Sequence, residues 1–236
     1  MATWFERAAG PGGLPLAFIY LELILTLTLL TTGLHFRALR KTRDELAAVR
    51  QYFIVFFFLL LAIPCFLVFL TSSGPWAVLA SFGWTFGRAG LGFALAGAGL
   101  PLAVLAGFIG SRDPEMQKMY PFAKAAGGSV RIFVGYELSY LVLYYLPWEF
   151  VFRGVLFLPL VPAVGLIPAL AIQTVISTLL HIGHPDTEIF AAAGAGLVFG
   201  AIAYATGSFL YTFILHAATG IATDTFLFLR RRRGNP

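Results

Sequence analysis

Nine ionisable side chains lie within or beside strongly apolar stretches of this chain: Glu22, Glu137, Glu149, Arg153, His181, His184, Glu188, His216 and Asp224. A charge or imidazole in hydrocarbon is costly enough that each of them is a functional hypothesis. Seven of the nine fall beyond residue 148, which points to chemistry in the carboxy-terminal half. Glu149 and Arg153 are four residues apart and share a helix face, with the acid amino-terminal to the base as the helix dipole prefers. The competing reading is a buried ion pair that only fixes helix register. His181, His184 and Glu188 stand at helical spacings on either side of Pro185, and with Asp186 and Thr187 between them His184 and Glu188 read equally well as a solvated loop pair. His181 follows the apolar run Leu170–Leu180, and His216 lies between Phe213 and Ala218, where an unpartnered imidazole is expensive. A glutamate, two separate intramembrane histidines and a stabilising arginine suit hydrolysis of an amide, which needs a base that holds a water and a donor for the oxyanion. No serine or cysteine stands in a nucleophile setting. Ser177, one turn before His181, reads as a helix-packing hydroxyl and Cys65 as packing.

The elements that must position these groups are transmembrane helices. With 59% hydrophobic and only 11% charged residues over 236 positions, the chain does not fit a soluble, secreted or disulfide-stapled protein. Backbone groups in lipid must pair internally, so the expected fold is all-α, a polytopic helical bundle. Apolar runs over 14–36, 51–71, 91–110, 132–160, 162–182, 188–205 and 208–229 give seven spans. Pro147 favours a kink or break in the fourth. Residues 72–90, broken by Gly74, Pro75, Gly83 and Gly87, read as an outer loop with interfacial Trp76 and Trp84; if they cross, the count is eight. Apart from Arg7, Arg88 and Arg153, the sixteen basic residues lie in three short segments: 37–50, 112–131 and 230–233. Seven crossings put all three on one side, and the positive-inside rule makes that side cytoplasmic, with the amino terminus outside. The same pattern excludes a nucleic-acid partner. The expected organisation is amino-terminal packing spans over 1–130, a catalytic core over 131–229 and a basic cytoplasmic tail over 230–236.

Trp148-Glu149-Phe150-Val151-Phe152-Arg153-Gly154 resembles the first motif, Glu-Glu-x-x-x-Arg, of the CAAX prenyl protease and bacteriocin-processing family. His181 falls at that family's second-motif histidine and His216 at its third, so three motifs stand in order over about residues 130–226. The resemblance implies an intramembrane endopeptidase whose members are described both as metalloproteases and as metal-independent glutamate proteases. It implies catalytic parts for Glu149, Arg153, His181 and His216: Glu149 as base, His181 sharing the water, His216 facing the oxyanion and Arg153 fixing Glu149. Two departures stand out. Trp148 occupies the place of the family's first, usually catalytic glutamate, and Gly220 that of an oxyanion-binding asparagine. Either Glu149 serves as base in a subfamily, or the chain is a non-proteolytic relative acting as an immunity or scaffold protein. Glu188, in a variant of the second motif, is the candidate replacement carboxylate, with His184 an accessory group. Asp224, two turns after His216, reads as a supporting or structural acid.

No cofactor is required by this reading. A zinc ion held by His181, His216 and Glu149 is the competing one, although His-Glu-x-x-His is absent and His181 and His184 could bind together only if helix geometry continued through Gly183. A proton-conducting transporter is a third class, unsupported by any inverted repeat. The expected partners are the lipid bilayer and a peptide or protein substrate reached from within or beside it. One tension follows from the span limits: at ~1.5 Å per residue they set Glu149 and His181 at different depths.

Overall fold

The computed structural model describes Lys41 and residues 44–234. Among these residues the chain is all-helical and forms no sheet. Eight helices follow in order: α1 Glu45–Leu70, α2 Pro75–Ser81, α3 Ala89–Gly110, α4 Pro114–Met119, α5 Val130–Val164, α6 Leu166–Leu179, α7 Asp186–Thr206 and α8 Leu210–Arg232. Five of them, α1, α3, α5, α7 and α8, are long and apolar enough to cross a membrane. Their outer faces carry large apolar side chains such as Leu70, Leu102 and Phe190, 65 to 79% exposed, a surface suited to lipid rather than water. Helix starts are set by local chemistry: the side chains of Asp44, Asp113 and Ser129 accept from the backbone N–H of Ala47, Glu115 and Ile132.

The expected spans from residue 51 onward are all present as helices. The run over 14–36, with Glu22 and the basic residues Arg37, Arg40 and Arg43, lies outside the described residues. Residues 72–90 do not cross, because α2 has only seven residues. Trp76 is 70% exposed; Trp84, 36% exposed, rests one side of its ring on Phe150 and Phe209. Pro147 does not break α5. It lies between two wide-turn π-helical stretches, Leu141–Tyr145 and Phe150–Phe157, within one continuous helix. Where hydrogen bonds already shift from i−4 to i−5, the donor that proline lacks is absorbed without ending the helix.

The depth conflict between Glu149 and His181 disappears for a related reason. α5 runs on to Val164, and the chain reverses at Gly165, whose φ of 90° is open to glycine without strain. Glu149 lies sixteen residues before Gly165 and His181 sixteen after it, so an antiparallel hairpin sets them level. The turn lies at Gly165, four residues beyond the boundary between the apolar runs 132–160 and 162–182.

Small residues set the closest helix contacts. α3 packs along α8, where a Cβ at Gly107 would meet the Ala222 side chain at 2.7 Å and the Thr223 backbone nitrogen at 2.8 Å. In α6 and α7, the Gln173 amide donates to the Gly196 carbonyl at 2.7 Å. Because backbone atoms cannot retreat, Gly107→Val should force α3 from α8 and lower stability by about 1–3 kcal/mol, measured as a fall in unfolding midpoint in detergent.

The described parts of the three basic segments meet at one end of the bundle. Arg230 donates to the Ser111 carbonyl at 3.2 Å, Arg231 to the Tyr120 carbonyl at 3.4 Å, and the Lys124 N–H to the Glu45 carboxylate at 2.8 Å. Thr187 at the start of α7 donates to Asp113 at that same end.

Candidate active site

The sequence-selected residues gather around one cavity of about 380 Å³, lined by Trp148, Arg153, His181, His184, Glu188 and His216 among others. α5 delivers Trp148, Glu149 and Arg153, the turn after α6 delivers His181 and His184, α7 delivers Glu188, and α8 delivers His216. Helix geometry does not continue from His181 to His184: α6 ends at Leu179, and Gly183, with φ of 98°, reverses the chain.

Glu149 is fully buried and does not line the cavity. One carboxylate oxygen lies 2.7 Å from His216 Nδ1, and the other lies 3.4 Å from Arg153 Nε. With a carboxylate as acceptor, Nδ1 must carry the proton, which leaves Nε2 as the His216 nitrogen available to the cavity. Arg153, 3% exposed, lies over the Phe199 ring, so its charge has a partner on either side.

His181 donates from Nδ1 to the Ser177 backbone carbonyl at 2.8 Å, a carbonyl being able only to accept. Its Nε2 is therefore the acceptor when the ring is neutral. The Ser177 hydroxyl itself is spent on the Thr174 carbonyl, 3.1 Å away, as expected of a packing residue.

His184 and Glu188 are not a solvated pair. Their side chains are 13% and 18% exposed, with Nδ1 of His184 3.1 Å from one Glu188 oxygen. The Tyr120 hydroxyl donates to that same oxygen at 2.6 Å and lies 3.0 Å from His184 Nδ1. Burial, reinforced by the neighbouring Glu188 carboxylate, holds the Tyr120 proton well above the usual phenol range, so this group remains a donor. The second Glu188 oxygen is buried and has no hydrogen-bond partner.

Tyr120 is the site residue that sequence reasoning missed. It comes from the connection between α4 and α5, with no apolar helix around it to mark it as unusual. The Trp148 indole packs edge-on against His181 and His216, with centroids 5.2 and 6.2 Å away, and so occupies the gap between the two imidazoles. Asp224 is fully buried on α8 but faces Glu137 of α5 rather than the cavity.

Among the described residues no three His, Cys, Asp or Glu side chains converge as a metal ligand set. In particular, Glu149 could join His181 and His216 around an ion only by leaving Arg153 and the Nδ1 of His216. These side chains as arranged do not fit a zinc centre.

Residues 133–222 match the family described as type II CAAX prenyl endopeptidase Rce1-like. The match takes in Glu149, Arg153, His181 and His216 and supports the CAAX prenyl protease and bacteriocin-processing family, which at family level is one of intramembrane proteases. No curated protein and no solved structure matched the chain. The family and the apolar helices together make this an integral membrane protein.

Proposed function

We propose that this chain is a membrane-embedded endopeptidase that hydrolyses a peptide bond with water activated by Glu188 and His181. The observation that carries this reading is the difference between the two glutamates. Glu149 sits behind the cavity wall with both oxygens turned to Arg153 and His216, which favours a positioning part. Glu188 lines the cavity; one oxygen of each carboxylate makes no hydrogen bond, but that of Glu149 faces Arg153 Nε at 3.4 Å, whereas that of Glu188 has no cation at ion-pair distance among the described residues. The replacement carboxylate anticipated from the sequence thus takes the task otherwise assigned to Glu149.

In the reaction, water is held between Glu188 and the free Nε2 of His181, and its oxygen attacks the scissile carbonyl carbon as its proton passes to the Glu188 carboxylate. The carbonyl oxygen becomes the oxyanion and is met by Nε2–H of protonated His216, whose orientation is fixed by Glu149. Collapse breaks the C–N bond, and the proton held by Glu188 passes to the leaving amine.

The substrate class is a peptide or protein segment reached from the bilayer. The carboxy-terminal tail is assigned to the cytoplasmic side and the described bundle is oriented accordingly. This is supported by the meeting of Arg112, Lys124, Arg230 and Arg231 at one end, the end at which Thr187 and Glu188 also lie.

Purified protein in detergent should cleave quenched fluorescent peptides, offered both plain and with a farnesylated carboxy-terminal tail, and keep its rate in a strong chelator. Loss of activity on chelation, restored by zinc, would establish the metal reading instead. Binding of the same peptides with no cleavage under any condition would establish the non-proteolytic one.

A further inference from the structure

A single hydrogen bond from His216 is a sparse oxyanion site, and the residue one helical turn later on the same cavity-facing side of α8 is Gly220, which has no side chain to add one. That position is not empty space. A Cβ built on Gly220 would fall on the hydroxyl of Tyr145, and its next nearest neighbour would be the Tyr145 ring carbon bearing that hydroxyl, at 2.6 Å. The phenol of α5 therefore reaches across and stands where a side chain from position 220 would begin. Its ring also packs edge-on against His216, with centroids 4.9 Å apart, and both residues line the cavity.

The backbone of α5 is built to make this reach. Tyr145 closes the π-helical stretch Leu141–Tyr145 directly before Pro147. The wide turn brings residues five apart onto one face, so the Tyr145 ring lies over that of Tyr140 at 4.3 Å.

We propose that the Tyr145 hydroxyl is the second oxyanion donor of this site, replacing from α5 the side-chain donor that Gly220 cannot supply from α8. This rests on the peptidase reading above. In the tetrahedral intermediate the former carbonyl oxygen receives two hydrogen bonds, one from Nε2–H of His216 and one from the Tyr145 O–H. No bond to tyrosine forms, and its proton stays on the phenol. The glycine is then a requirement of the arrangement rather than a loss, because any larger residue displaces the donor.

The test compares cleavage of one fluorescent peptide by wild type, Tyr145→Phe, Gly220→Ala, Tyr145→Leu and Tyr145→Leu/Gly220→Asn, each first matched for unfolding midpoint. Tyr145→Phe should lower kcat about 10²-fold with KM changed less than about twofold, as removal of one oxyanion donor does. Gly220→Ala should lose a similar factor by pushing the hydroxyl aside. Adding Gly220→Asn to Tyr145→Leu should recover at least about tenfold, because an amide donor then grows into the vacated space. A cleaving wild type whose Tyr145→Phe variant keeps full kcat, or loses its rate only through KM, overturns the proposal and leaves the peptidase reading standing. So does a Tyr145→Leu variant that gains nothing from the added asparagine. A wild type that cleaves nothing sinks the peptidase reading itself.

Discussion

Glu188→Gln should lower kcat for peptide cleavage by about 10³-fold while leaving the fold intact. Glutamine keeps the shape of the side chain and an oxygen that can accept from Tyr120 and His184, so the local hydrogen bonds survive. What disappears is the ability to take a proton from water at the oxygen that has no partner. Glu149→Gln provides the contrast. Its oxygen can still accept from Nδ1 of His216, but the amide no longer pairs with Arg153, and a loss of about tenfold to 10²-fold is expected from a misoriented His216. The ratio of the two losses separates base from positioning residue. A Glu188→Gln enzyme with wild-type kcat beside an inactive Glu149→Gln enzyme would return the base to Glu149.

The helices were legible in the sequence because hydrocarbon imposes a length on every apolar run that crosses it, and each described span lies within a few residues of its expected place. The intramembrane polar residues were legible for the same reason: a histidine in lipid advertises itself by its cost. What remained hidden depended on backbone geometry over a few residues. The turn at Gly165 sits inside a run of apolar residues and prolines that hydropathy cannot divide, and a shift of four positions there moved His181 to the wrong depth. Hydropathy also cannot distinguish α-helical from π-helical turns, yet those turns carry Pro147 through α5 and aim Tyr145 at position 220. Tyr120 stayed invisible because a tyrosine between a short helix and a bundle helix is ordinary in composition. Only its approach to Glu188 gives it a part.

Arg153→Met should be the most destabilising single change among the site residues, lowering stability by about 3–5 kcal/mol, because it leaves the Glu149 carboxylate buried beside His216 without its arginine. Arg153 is 3% exposed and Glu149 fully buried, so neither can recruit water to replace the missing partner without opening the bundle. Methionine fills much the same volume over Phe199, which separates loss of charge from loss of packing. The double variant Glu149→Leu/Arg153→Met removes both charges and should recover most of the stability, since an apolar pair of similar size avoids the desolvation of two ions. It should not recover cleavage. His216 would then lack the acceptor that holds Nδ1, and the imidazole facing the oxyanion would be free to turn. Unfolding in mixed micelles, followed beside peptide cleavage on wild type and these two variants, reads both effects. Recovery of stability and activity together would mean that the pair only fixes helix register and that His216 works without Glu149, whereas recovery of stability alone assigns the carboxylate its part in holding the histidine.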